Sequence, residues 1–309
     1  MQGHYFRNKK TEKGWKRSIE SFQKAVEKDP EFALAHTGLA DCYLDLGWYG
    51  FLPRKDAYTR SKAEAIKALE IDDTLSEAHV SLGNIRIWLD WEWTNAEMEY
   101  KQALALNSSN AEARHMYSHL LSIIGRHKEA IQEMRQALEL EPFSVIINSC
   151  LGQVLFLARR YDEAMEQLQK TVEMDSNFPP LYQWLGMTYL EKGILNQAIE
   201  KFQKGATFSE IQIMMIGYIG YTYAVIGKKS EARDRIEQLK YHSKKNYVDP
   251  YFIAQIYAGL GEKNDAFAWL NKAYNESSLY IILLKVDPLF DNLRGDSRLK
   301  ELLKMMKLE

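Results

Sequence analysis

The sequence predicts an all-α solenoid of about eight helix pairs closed by a C-terminal capping helix, and three observations predict it. First, Ala96, Ala130, Ala164, Ala198, Ala232 and Ala266 recur every 34 residues, each followed four residues later by a large side chain: Tyr100, Met134, Leu168, Phe202, Ile236 and Leu270. Second, Gly125, Gly193, Gly227 and Gly261 mark a turn at the same interval, with Arg159 as the exception. Third, the apolar residues between those turns recur every three or four positions, the spacing of amphipathic helices. A fixed period of this length marks a repeat architecture, which overrides any domain count drawn from length.

Each repeat therefore reads as helix, short turn, helix. The second helices fall near 14–29, 57–72, 94–107, 128–141, 162–175, 196–207, 230–242 and 264–276. The repeats span about 1–32, 33–75, 76–110, 111–144, 145–178, 179–212, 213–246 and 247–280, and 281–309 forms an extension, giving a single solenoid over 1–309. Gly152, Gly186 and Gly220 recur inside leading helices, with Ser118 and Ala254 in the same slot. Glycine inside a helix costs about 1 kcal/mol relative to alanine, so its recurrence implies close packing against the bulky residue of the following helix. Leu299, Leu302, Leu303 and Met306 give residues 298–306 an apolar face that covers the last repeat. The N-terminal end shows no comparable cap, so Tyr5, Phe6 and Trp15 are expected to lie open or to meet a second copy of the chain.

Two departures from 34 residues fall early. Trp48-Tyr49-Gly50-Phe51-Leu52-Pro53 lengthens the second repeat, and one extra residue enters the third near Asp90-Trp91-Glu92-Trp93. Insertions in a solenoid map to one edge, so these aromatic segments are expected to be neighbours. They form either an edge core that stiffens the first repeats or a partner patch built from Trp48, Tyr49, Phe51, Trp91 and Trp93.

Composition narrows the function. Charge is balanced, with 40 Lys+Arg against 42 Asp+Glu and a net charge of −2, which provides no phosphate-neutralising footprint for nucleic acid. No window has the run of about 18 apolar residues that a membrane span needs. With no apolar leader sequence and two cysteines, Cys42 and Cys150, in helical apolar stretches, a cytoplasmic location is expected. Gly227-Lys228-Lys229-Ser230 lacks the spacing of a phosphate-binding loop, and no Gly-x-Ser-x-Gly elbow occurs. His115 and His119, with Glu112 one turn earlier, come nearest to a metal site, but Met116 stands where a metalloprotease helix carries glutamate. No enzyme activity, cofactor or metal is expected.

Tyr182, Leu185, Gly186 and Tyr189, followed by Ala198 and Phe202, resemble the tetratricopeptide repeat. Ala130, Met134, Ala137 and Pro142 carry its closing half, as do Phe22, Ala25 and Pro30. Gly205 and Glu210 depart from it, standing where the family favours Ala and Pro. The resemblance implies a right-handed α-α superhelix whose leading helices line a concave groove. On those helices the residues expected to face the groove are Asp41, Asn84, His119, Gln153, Met187, Tyr221 and Gln255, with His115 one turn earlier. These slots hold no Lys or Arg, so they do not suit the clamp that grips a C-terminal carboxylate. Asn, Gln, His and Tyr suit hydrogen bonding to an extended peptide, and Met187 offers adaptable apolar contact.

A narrower resemblance rests on Tyr5-Phe6-Arg7-Asn8-Lys9, Gly38-Leu39-Ala40-Asp41, Asp90-Trp91-Glu92-Trp93 and Asp287-Pro288-Leu289-Phe290-Asp291 with Leu293-Arg294. These are similar to the C-terminal repeat arrays of bacterial multidomain regulators, which carry a winged helix, kinase or cyclase upstream, often with a TolB-like segment. The resemblance implies that this chain is a fragment or a stand-alone relative. The expected function is a protein-interaction scaffold that binds a protein or peptide segment. The alternatives are a small-molecule-sensing solenoid and self-assembly through the uncapped N-terminal end.

Overall fold

The structure is a computed structural model describing all residues except 1, 8, 10 and 210. Asn8 and Glu210, both used in the resemblances above, lie outside the described residues. Among the described residues there is no strand. The chain divides into two compact units, Met1–Leu120 and Leu121–Glu309.

The N-terminal unit stacks α1 (Gln2–Arg7), α2 (Glu12–Lys28), α3 (Ala33–Trp48), α4 (Arg54–Ile71), α5 (Ser76–Ile85), α6 (Trp93–Leu106) and the first turns of α7 (Ala111–Ile123). The C-terminal unit holds α8 (His127–Leu140), α9 (Val145–Leu157), α10 (Tyr161–Met174), α11 (Pro180–Glu191), α12 (Leu195–Gly205), α13 (Gln212–Val225), α14 (Lys229–His242), α15 (Pro250–Gly259) and α16 (Lys263–Asn275). It ends in two 3-10 turns, Ile281–Leu283 and Pro288–Leu293, and α17 (Ser297–Met305). Each even-numbered helix from α2 to α16 lies within three residues of a second helix expected from the period.

A repeated local device ends these helices and sets the next one. Asp29, Asp72, Asn107 and Asp175 follow α2, α4, α6 and α10, and each side chain accepts the backbone N–H two residues on, at 2.8–3.2 Å. That hydrogen bond competes with helix continuation and turns the chain. After α2, α4, α8 and α10 a polar side chain in the next leading helix reaches back six residues to a carbonyl of the turn before it. His36 meets Pro30 and His79 meets Asp73, each at 3.1 Å, while Asn148 donates to Pro142 and Tyr182 to Ser176, at 3.0 and 2.6 Å. These bonds tie the start of each leading helix to the exposed turn that precedes it.

Packing follows the small-and-large pattern of the sequence. A Cβ added at Gly83 would lie 2.8 Å from Tyr100, and one at Gly152 would lie 2.5 Å from Leu168; Gly186 meets Phe202 in the same way. Gly220 differs, for it faces Ile256 and Arg235 rather than Ile236. The turn glycines 125, 193, 227 and 261 all have positive φ, as does Arg159 at φ 63°.

The two early irregularities have separate solutions. The insertion after α3 is a loop, whereas the extra residue of the third repeat lengthens α5 as a π-helical turn, Arg86–Asp90. Such a turn absorbs one residue within a helix, and Trp91 then leaves in the left-handed conformation at φ 51°. Trp15, expected near an open N-terminal end, is instead 2% exposed beneath Tyr49 and Phe51. Tyr5 is exposed and Phe6 half-buried. At the other end Leu299 and Leu302 of α17 and the following Met306 are buried and Leu303 is half-buried, while the Arg298 guanidinium lies 4.2 Å from the Phe267 ring of α16.

Candidate functional site

In the N-terminal unit the leading helices are α1, α3, α5 and the start of α7. Their polar residues are tied to one another. Arg7 of α1 donates to Asp41 at 2.8 Å and to Asp45 at 2.9 Å, and Ser81 of α5 donates to the other oxygen of Asp41 at 2.6 Å. Crowding pushes the Asp45 carboxyl above its usual range in spite of Arg7. The two carboxylates hold the guanidinium above its own ordinary value against the same crowding. The pair therefore fixes position more than it adds stability. Asn84 is buried and accepts the Tyr100 hydroxyl at 2.6 Å, so it braces α5 against α6 and does not face solvent as expected.

His115 and His119 stand one turn apart on α7 with Nε2 to Nε2 at 3.1 Å, and Glu112 Oε2 lies 3.3 Å from His115 Nδ1. Although 61% of the Glu112 side chain is open to solvent, neighbouring atoms push its carboxyl up. The hydrogen bond to His115 and the positive charge of Arg7 outweigh that push and hold it at about 2.

The aromatic edge of this unit is split between core and surface. Trp48 meets Trp88 edge to face at 4.8 Å, and Tyr49 stacks on Trp15 at 4.9 Å. The expected neighbours thus meet through Trp88, which the sequence reading did not single out. Trp93 is buried and Trp91 half-buried, while Trp48, Tyr49 and Phe51 keep 41–52% exposure on one short insertion.

In the C-terminal unit the leading-helix face is occupied by the chain itself. Residues 281–293 run along α15 and across side chains of α11 and α13, and Leu283 and Asp287 line one narrow cleft with Trp184, Met187, Tyr218 and Tyr251. Asp287 accepts from the Tyr251 hydroxyl at 2.7 Å, from Gln255 Nε2 at 3.0 Å and from the Leu289 N–H at 3.0 Å. Burial nonetheless leaves its carboxyl above the usual range. Leu289, Phe290 and Leu293 are fully buried, and Asn292 donates to the Ala258 carbonyl at 2.7 Å. Met187 and Gln255, expected in an open groove, therefore lie beneath this segment, at 2% and 0% exposure. Gln153 and Tyr221 remain half-buried. Burial raises the Tyr221 hydroxyl above its ordinary value, helped by the charges of Glu191, Asp287 and Asp291.

Arg159 holds the segment from the other side, donating to both oxygens of Asp291 at 2.8 Å. The same guanidinium meets the Tyr161 hydroxyl, which donates to Glu191 at 3.0 Å. The one signal of this contact in the sequence was the arginine standing in a glycine slot.

Residues 13–49 and 111–144 match the family described as tetratricopeptide repeat. The chain carries tetratricopeptide repeats. Their bacterial relatives include the transcriptional regulator HilA of Salmonella typhimurium, 26% identical over 132 residues, covering 43% of this chain and 24% of HilA. The type IV pilus assembly protein PilF of Pseudomonas aeruginosa is 35% identical over 94 residues, covering 30% of this chain and 36% of PilF. The match thus spans well under half of either relative. A tetratricopeptide repeat protein from Parabacteroides merdae has the same fold, with a TM-score of 0.58 at 15% identity over 87% of this chain and 98% of that one. The tetratricopeptide fold commonly serves protein–protein interaction. No helix among the described residues is long and apolar enough to cross a membrane.

Proposed function

We propose that this tetratricopeptide chain is a non-catalytic interaction module that takes an extended protein segment on the leading helices of its N-terminal unit. The observation that carries the reading is the segment 281–293. It lies on such a face as a run of 3-10 turns, and supports the reading by its contacts: aromatic rings take its Leu and Phe side chains, while Tyr and Gln hydroxyl and amide groups hold its carboxylate. That occupant fills the cleft of the C-terminal unit, which removes it as a small-molecule site. In the N-terminal unit the accessible Glu112 stands beside the half-buried His119 on the leading helix α7.

The likeness to a transcriptional regulator supports placing the module in a bacterial regulator, working in the cytoplasm. The PilF likeness favours a second reading, a scaffold for assembly of a larger structure. A photo-crosslinking amino acid placed at Glu112 tests the site in cells, with a second probe at Tyr49. A discrete crosslinked protein at Glu112 supports the groove. Crosslinks at Tyr49 alone move the site to the aromatic edge, and crosslinks at neither sink the interaction reading. The identity of the captured protein, a regulator component or an assembly component, decides between the two contexts.

A further inference from the structure

We propose that His115 and His119 form a binding site for a divalent transition metal of the zinc class, each ligating through Nε2. The two residues sit four apart on α7, so their side chains stack on one helix face. Their rings lie 4.9 Å apart at 61°, with the Nε2 atoms 3.1 Å from each other. Two zinc–nitrogen bonds of about 2.0–2.1 Å, opened to a tetrahedral angle, place their nitrogens about 3.3 Å apart. The pair is therefore within about 0.2 Å of that spacing without any rotamer change.

The other nitrogen of His115 completes the arrangement. Glu112 Oε2 at 3.3 Å from Nδ1 draws the ring proton to that side and leaves the Nε2 lone pair directed at His119. A carboxylate behind a ligating imidazole fixes tautomer and ring orientation, which is how histidine metal sites are commonly supported. Imidazole nitrogens favour zinc, nickel and copper over magnesium or calcium. Glu112 acts here as a positioning residue, and water or a further side chain fills the remaining coordination positions. This site depends on α7 geometry alone and stands whether or not a protein segment binds the same face.

A simple hydrogen bond between two neutral imidazoles would produce a similar separation, and metal titration distinguishes the two. The full chain is stripped with chelator, and zinc is titrated by calorimetry, with Co2+ absorption reporting geometry. Nitrogen-15 NMR of the unmutated chain shows which imidazoles respond. The expected result is one saturable zinc site whose binding shifts Nε2 of His115 and His119. His115→Gln and His119→Gln, checked for folding by circular dichroism, each lower the affinity at least tenfold. Glu112→Gln lowers it by about ten- to a hundredfold, the range for a lost orienting carboxylate, while His79→Gln leaves it unchanged. Absence of saturable binding in the unmutated chain overturns the proposal. So does zinc binding that leaves the His115 and His119 resonances unmoved, a readout that holds even if a variant fails to fold.

Discussion

Arg159 and Asp291 are joined by two hydrogen bonds of 2.8 Å across 132 residues of sequence, and Arg159 makes them from a left-handed backbone conformation at φ 63°. Four other repeats place glycine at the corresponding turn. A non-glycine residue there costs about 1–2 kcal/mol. The ion pair is 38% and 50% exposed, so its return is about 1 kcal/mol at most. Arg159→Gly loses the pair but relieves the strain, and its stability should fall within about 1 kcal/mol of the parent. Arg159→Ala keeps the strain and loses the pair, so it should be the less stable of the two. Urea unfolding of the full chain gives the order, and alanine at or above glycine would refute the strain argument.

The segment that Arg159 holds is a built part of the C-terminal unit. Phe290 is fully buried against Tyr251, with ring centroids 5.1 Å apart. Phe290→Ala should cost about 3–5 kcal/mol. Phe143, 89% exposed, provides the control, since its replacement by alanine should stay within about 0.5 kcal/mol. A small effect at Phe290 in the same urea experiment would mean that the segment leaves the face easily.

The helices and turns were legible because each depends on local chemistry: apolar spacing, a small residue opposite a large one, and glycine at positive φ. The C-terminal segment was not. Nothing in Asp287-Pro288-Leu289-Phe290 says that Tyr251 and Gln255 lie beneath it, because that pairing is set by packing of distant residues. The reading therefore placed Met187 and Gln255 in an open groove. Asn84 misled for a related reason, since an amide looks the same in sequence whether it meets solvent or the Tyr100 hydroxyl. The π-turn at Arg86–Asp90 was visible only as one surplus residue, which a loop would have accommodated equally well.

His79 should make stability depend on pH. Its Nδ1 lies 2.7 Å from Glu99, and that hydrogen bond raises the imidazole above its ordinary value, with burial opposing. The folded state then binds the proton more tightly than the unfolded chain. The contribution is fully present below about pH 6.5, the unfolded value, and is lost as pH rises through the raised folded value. Glu99→Gln removes the cause, so the parent's advantage over this variant should be larger at about pH 5.5 than at about pH 8.5. An advantage independent of pH in paired urea titrations would show that His79 is neutral in the folded chain.

Asp287 carries the opposite chemistry with the same sign. Burial raises its carboxyl, and the hydrogen bonds from Leu289, Tyr251 and Gln255 only partly offset this. A raised carboxyl also means that the folded state binds the proton more tightly. Its contribution is present below the unfolded value of about 3.9 and is lost as pH rises through the folded value. Asp287→Asn has no such loss. The Gln255 Oε1 atom is buried without a hydrogen-bond partner, so rotating that amide gives the new NH2 group an acceptor, while the remaining oxygen still caps the Leu289 N–H. The variant should gain stability relative to the parent between about pH 4 and about pH 7. Parallel unfolding curves across that range would instead show that Asp287 stays ionised beneath its three donors.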